Sequence, residues 1–165
     1  MKSDFKETEG CEYHRWVTSN LSDVDISLPD KDFLIHTGCP IDVDWSLEFS
    51  PVGSIPLERA SLDGLRIIGY DNGSEICIDE RDNGSVVAVE NGGKVRPINS
   101  NVVKFSDFLT LYKKYRRLVQ GLDDDSAMSL IDAIEAEMRA IDEGAFSTVE
   151  YWWPVIIEQV REGNL

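Results

Sequence analysis

Residues 65–98 run through four short apolar stretches, at 65–70, 75–79, 86–89 and 95–98, each rich in β-branched side chains. Between them stand three Asn-Gly pairs, Asn72-Gly73, Asn83-Gly84 and Asn91-Gly92. Asn and Gly tolerate the positive φ of tight hairpin turns, so the pattern predicts an antiparallel meander of neighbouring strands. Ile76 and Ile78 fall on one side of the second strand and Glu75, Cys77 and Asp79 on the other, with Asp82 in the next turn. That alternation predicts one face for a core and one acidic, solvated face.

Downstream the apolar period changes from two to about 3.6 residues. Val102, Phe105, Phe108 or Leu109, Tyr112 and Tyr115 trace one helical face, with Asn99, Ser100 or Asn101 able to cap it and Gly121 to end it. A second helix follows, opened by Asp123, Asp124, Asp125 and Ser126 and striped by Met128, Ile131, Ile134, Met138 and Ile141. The three aspartates are expected to stabilise that helix start, not to bind metal. Ser147 and Glu150 have capping-box spacing for a third helix; Pro154 should kink it or mark a restart, and Gly163 should end it. Its apolar face includes Trp152 and Trp153, expected to dock on the core.

Upstream, Asp30 is placed to cap a short helix reaching about His36, stopped by Gly38 and Pro40. Trp45, Leu47 and Phe49 share one face of an extended segment, and residues 51–64, with two prolines and two glycines, read as a loop. Residues 1–10 form a polar arm, residues 11–28 carry no clear period, and residues 11–165 make one domain. The order of elements predicts an α+β fold, a curved antiparallel sheet with helices before and after it.

Charge adds a second layer. The 165 residues hold 31 acids and 16 bases, a formal charge of −15. Such a surface repels nucleic acid and anionic membranes and draws in basic partners. The bases are uneven. Residues 102–118 carry Lys104, Lys113, Lys114, Arg116 and Arg117 against Asp107, a local +4 that leaves −19 elsewhere. At the end of a helix those cations suit the backbone dipole, which is the reading preferred over nucleic-acid binding. The first residues lack the apolar core of a signal peptide, and no run is long enough to span a bilayer, so a cytoplasmic protein is expected.

Chemistry-bearing motifs are few. His14 and His36 sit in no triad signature, and neither a phosphate-binding glycine loop nor a zinc-protease helix occurs. Three cysteines, Cys11, Cys39 and Cys77, do not suggest a disulfide framework. Cys11 with His14, and His36 with Cys39, have the spacing of two half-sites for zinc, but Cys39 occupies an apolar position and Cys11 a chain end. From Asp79 a calcium-loop pattern fails at its third position, Arg81. No cofactor, metal or catalytic residue is expected.

The order LPDKDFLIHTGCP, WSLEFSP, LRIIGYDNGSEICID and VVAVENGGKVRPINSNVVKFSDFLTLY resembles the SUKH superfamily, most closely its SMI1/Syd-type immunity proteins. The matching elements are Gly38-Cys39-Pro40, the strand pair at residues 68–79, the junction Asn99-Ser100-Asn101-Val102-Val103-Lys104-Phe105, and Trp153 followed by Val155. Within the junction, Asn101 and Val102 depart from the family's Ser and Leu. The resemblance spans about residues 28–162 and implies an α+β immunity protein that binds and neutralises a polymorphic toxin. The matched positions are structural, so it transfers no catalytic residues.

An acidic binder of this kind is expected to occlude a basic toxin surface, such as a nuclease groove, with Tyr70, Asp71, Glu75, Asp79, Glu80 and Asp82 as contacts and Asp42, Asp44 and Trp45 nearby. Two other readings compete: a regulatory or scaffold domain of the same superfamily, and a small-ligand domain with Trp152 and Trp153 lining a cleft.

Overall fold

The computed structural model describes residues 12–44 and 46–163. The polar arm, Cys11 and Trp45 lie outside that range. Tyr13–His14 (β1) pairs antiparallel with Cys39–Pro40 (β2). Between them run a 3-10 turn at Thr18–Leu21 and helix α1, Leu28–His36. A five-stranded antiparallel sheet follows in sequence order: β3 Leu47–Phe49, β4 Leu65–Asp71, β5 Ser74–Asp79, β6 Ser85–Val89 and β7 Val95–Asn99. Helices α2 Val102–Leu118, α3 Asp124–Ile141 and α4 Trp152–Arg161 close the chain, with a 3-10 turn at Glu143–Phe146 before α4. This is the predicted α+β domain, a meander flanked by helices.

Only one Asn-Gly pair closes a two-residue hairpin. Asn72 and Gly73 have φ of 47° and 86° between β4 and β5, as a type I′ turn requires. Asn83-Gly84 and Asn91-Gly92 instead sit inside longer connections. After β6 the positive φ values belong to Gly92 and Gly93, and the Glu90 N–H reaches the Lys94 carbonyl at 2.9 Å.

The main core lies between one sheet face and the helices. Ile68, Ile76, Ile78, Val86, Ala88 and Ile98 meet Val102, Phe105, Phe108, Leu109 and Tyr112 of α2, Ile131, Ile134 and Met138 of α3, and Trp153 and Ile157 of α4. Met128 departs from its expected stripe and is exposed.

The opposite face is not the acidic, solvated surface that alternation suggested. Leu65, Ile67, Cys77, Val87 and Val89 form a second buried cluster, covered in part by Ala60 and Leu62. Residues 57–64 fold back over it. The Ile67 N–H donates to the Glu58 carbonyl at 2.8 Å, and the Ala60 N–H to the Leu65 carbonyl at 3.0 Å. The central strands are therefore apolar on both sides. Alternation within one strand cannot reveal that a distant loop will cover its second face.

The caps bear out the expected starts of α2 and α3 and correct those of α1 and α4. Ser27, not Asp30, caps α1: its hydroxyl oxygen accepts the Asp30 N–H at 3.2 Å while its O–H donates to the Asp30 carboxylate at 2.6 Å. Asn101 caps α2 and Asp123 caps α3. Ser147 and Glu150 do not open α4, which begins at Trp152. Pro154 thus falls in its first turn, where a missing N–H costs no intrahelical bond, and marks a helix start in place of a kink. Gly38 ends α1 with φ of 76°, and a Cβ there would stand 2.0 Å from the His14 carbonyl oxygen. Only glycine lets β1 approach so closely.

Candidate functional site

The eight candidates among the described residues do not form one surface; Trp45 lies outside that range. Asp79, Glu80 and Asp82 lie around the β5–β6 connection, and two of the three are engaged inside the protein. Asp79 accepts the Arg81 backbone N–H at 2.9 Å and its guanidinium at 3.0 and 3.1 Å, which holds its carboxyl below the usual range. The cation that spoiled the calcium pattern thus occupies the carboxylate itself. Glu80 accepts from Arg66 at 3.1 Å and from the Asp25 N–H at 2.8 Å. Asp82 remains exposed in the turn.

Tyr70 and Glu75 stand opposite each other in the β4–β5 register, on the face of the second cluster. Tyr70 is 39% exposed, and its phenol is pushed up by burial and by the nearby Glu58 and Glu75. One carboxylate oxygen of Glu75, Oε2, is buried without a hydrogen-bond partner.

Asp42, Asp44 and Asp71 lie by the same end of the sheet as Tyr70 but on its main-core face, where Asp44 and Asp71 line one cavity. The loop before β3 carries the first two, Asp42 with φ of 55°. The basic end of α2 pins that loop: Lys113 donates to the Ile41 carbonyl and Arg116 to Asp44 Oδ2 at 3.2 Å. Lys113 and Arg116 thus stabilise the acidic loop as well as the helix end. Leu47 pairs with Asp71 across β3 and β4. Asp71 Oδ1 accepts the Ser46 hydroxyl at 2.6 Å. Burial, helped by the charge of Asp44 and opposed by Ser46, holds the Asp71 carboxyl above the usual range.

Both carboxylates line a small cavity, about 30 Å³, between the loop and helices α2 and α4. Val43, Leu47, Leu109, Tyr112 and Trp152 complete much of its wall. Burial is the main reason the Tyr112 phenol is pushed up to about 12, with Arg116 opposing and both aspartates adding. Asp44 Oδ1 is buried and unpartnered. The cavity is far smaller than the ~300 Å³ or more of a typical small-ligand pocket. Trp153 is docked as expected, 2% exposed, with its indole N–H donating to Asn99 Oδ1 at 2.9 Å. Trp152 is half-buried against the same core, both indoles line the cavity, and the Arg96 guanidinium stands 6.0 Å from the Trp152 ring centre. Sequence spacing could not separate the two tryptophans, because their roles depend on which part of the sheet α4 crosses.

Metal chemistry finds little support. Cys39 is fully buried, its thiol pushed up to about 12 by burial. His36 is exposed and paired with Asp32 at 3.0 Å. His14 packs its ring against Trp16 and Phe49, and burial holds it below the usual histidine range. Among the described residues no group of three His, Cys, Asp or Glu is placed to hold a metal ion.

A further polar knot joins the ends of several elements. Asp142 accepts from Asn99 Nδ2 at 3.1 Å, from the Ser100 N–H at 2.9 Å and from the Ser100 hydroxyl at 3.2 Å. Lys104 approaches the same carboxylate at 3.5 Å. With the bond from Trp153 to Asn99, this ties β7 and the start of α2 to the α3–α4 connection and to α4 itself. The polar pair Asn99-Ser100 is therefore a joint between elements, and it carries part of the family pattern. The family model for SUKH-4 immunity protein matches residues 7–159.

The chain belongs to the SUKH-4 immunity protein family. Neither a curated protein nor a solved structure matches it significantly. SUKH-4 membership supports an immunity role and implies a toxin as binding partner, which suggests a binder and not an enzyme. Among the described residues of this SUKH-4 protein, no helix is long and apolar enough to cross a membrane.

Proposed function

We propose that this SUKH-4 protein neutralises a cognate polymorphic toxin in the cytoplasm by covering a basic surface at or beside the toxin's active site. The observation that carries the reading is a formal charge of −15 on an immunity-family chain. That charge favours a positively charged partner, for which a nuclease with its nucleic-acid groove is the leading class. Inhibition then needs no chemistry from the immunity protein. Long-range attraction speeds the encounter, and a few well-packed contacts set the lifetime of the complex.

The contact surface is centred on Asp42, Asp44 and Asp71, with Trp152 at its edge. Asp79 and Glu80 are assigned to the fold, since their carboxylates are taken by Arg81 and Arg66. Co-expression with a modular toxin encoded beside this chain tests the reading. Growth should be rescued and the two proteins should co-purify. A toxin that kills undiminished and forms no complex would sink the reading for that pair.

A further inference from the structure

The cavity beside Asp44 has one feature that the fold does not explain. Asp44 uses Oδ2 for Arg116, while Oδ1 is buried with no donor among the described residues. A buried carboxylate oxygen without a partner is costly, and native proteins retain few. Asp71 contributes a second carboxylate to the same cavity, with Oδ1 engaged by the Ser46 hydroxyl. Two carboxylates face one guanidinium here, so the cavity keeps a net negative charge. Its remaining walls are apolar and aromatic, including Leu47, Tyr112 and Trp152. At about 30 Å³ it has room for a head group, not for a whole metabolite.

We propose that this cavity receives one lysine or arginine side chain of the partner protein, its cationic head donating to Asp44 Oδ1 and Asp71 and its stem lying against Trp152. Charge complementarity selects that occupant. An ammonium or guanidinium has only donors to offer, which match the two carboxylates, while the wall's own donors, the Tyr112 hydroxyl and the Trp152 indole N–H, are neutral. The long methylene stems of both side chains pack readily on an aromatic rim. A basic toxin surface would supply such a side chain. The proposal rests on the immunity reading only for that source; the chemistry of the cavity stands apart from it.

The test uses acetyl-arginine amide and acetyl-lysine amide as probes, with acetyl-norleucine amide as the neutral control. Titration is followed through the indole N–H resonance of Trp152 in the full chain. The cationic amides should shift that resonance and the neutral one should not. The double variant D44N/D71N should bind the better amide about tenfold more weakly, the loss expected for charge-assisted hydrogen bonds. Asp71→Asn alone leaves the Arg116–Asp44 pair and a Ser46 acceptor in place, so its weaker loss guards against a loosened loop. Equal shifts from norleucine amide, or unchanged binding by both variants, would overturn the proposal.

The toxin arm separates the two readings. Protection by the wild type that D44N/D71N matches in full overturns the cavity's role and leaves the immunity function standing. Absence of protection by the wild type counts against the immunity reading, and the amide titration then decides the cavity alone.

Discussion

Arg66 is 2% exposed, yet it carries a full charge between the sheet and the N-terminal segment. Its guanidinium donates to Glu80 at 3.1 Å, to Asp23 Oδ2 at 3.1 Å and to the Asp23 carbonyl at 2.6 Å. Removing one partner of a buried pair leaves the other without compensation. Arg66→Ala should therefore cost about 3 kcal/mol of stability, read as a lower urea midpoint. Glu80→Gln should also destabilise, but it should leave toxin affinity of the folded protein unchanged, because its carboxylate faces inward. Asp71 behaves in the opposite sense. Its carboxyl titrates above the ordinary value of 3.8 because it is buried. Between the unfolded and the raised folded value the native state holds the extra proton, so stability falls as pH rises through that window. Above the window the penalty stays constant. Asp71→Asn should raise the melting temperature at neutral pH, and that advantage should fade as pH drops below the window. A stabilising loss of a carboxylate is the pattern expected where a charge is kept for binding.

At the scale of elements, helices and strands are joined by a few polar knots. The Asn99–Asp142 joint holds the start of α2 and the approach to α4, and Trp153 completes it. Trp153→Phe keeps most of the ring in the core but leaves Asn99 Oδ1 without a donor. The expected cost is about 2 kcal/mol, measured by chemical unfolding. The loop before β3 is held in a similar way by Lys113 and Arg116 from α2. Arg116→Met should free that loop and weaken toxin binding while α2 keeps its helical signal in circular dichroism. These knots show why the basic end of α2, the likeliest nucleic-acid signature by composition, has a local occupation. Arg116 meets Asp44 and Lys113 meets the Ile41 carbonyl.

For the whole molecule, charge and shape act over different distances. A net charge of −15 is felt over about a Debye length, roughly 8 Å at physiological salt, and it steers encounter without selecting a partner. Association with a basic toxin should therefore slow about tenfold or more from low to high salt, as stopped-flow mixing would record. Reversing the exposed Asp82 to lysine should slow association further with little change in melting temperature. The dissociation rate should respond instead to the Asp44–Asp71 cavity, where contacts are short and desolvated.

Much of this architecture was legible before the structure. Strand runs, the period of α2 and α3 and the order of elements are written in neighbouring residues, because backbone turns and amphipathic faces are set over three to ten positions. The Asn99-Ser100 junction was visible as a motif, though its purpose was not. What the sequence alone determined is thus the set of elements and the faces most of them bury. The tertiary structure alone decided which carboxylates remain available. Glu80 is taken by an arginine 14 residues away, and Asp23 by the same side chain 43 residues away. The cavity draws on Asp44, Asp71, Tyr112 and Trp152, which meet only once the sheet and helices have packed. No periodicity links positions so far apart, since their proximity is a property of the folded chain and not of any segment of it.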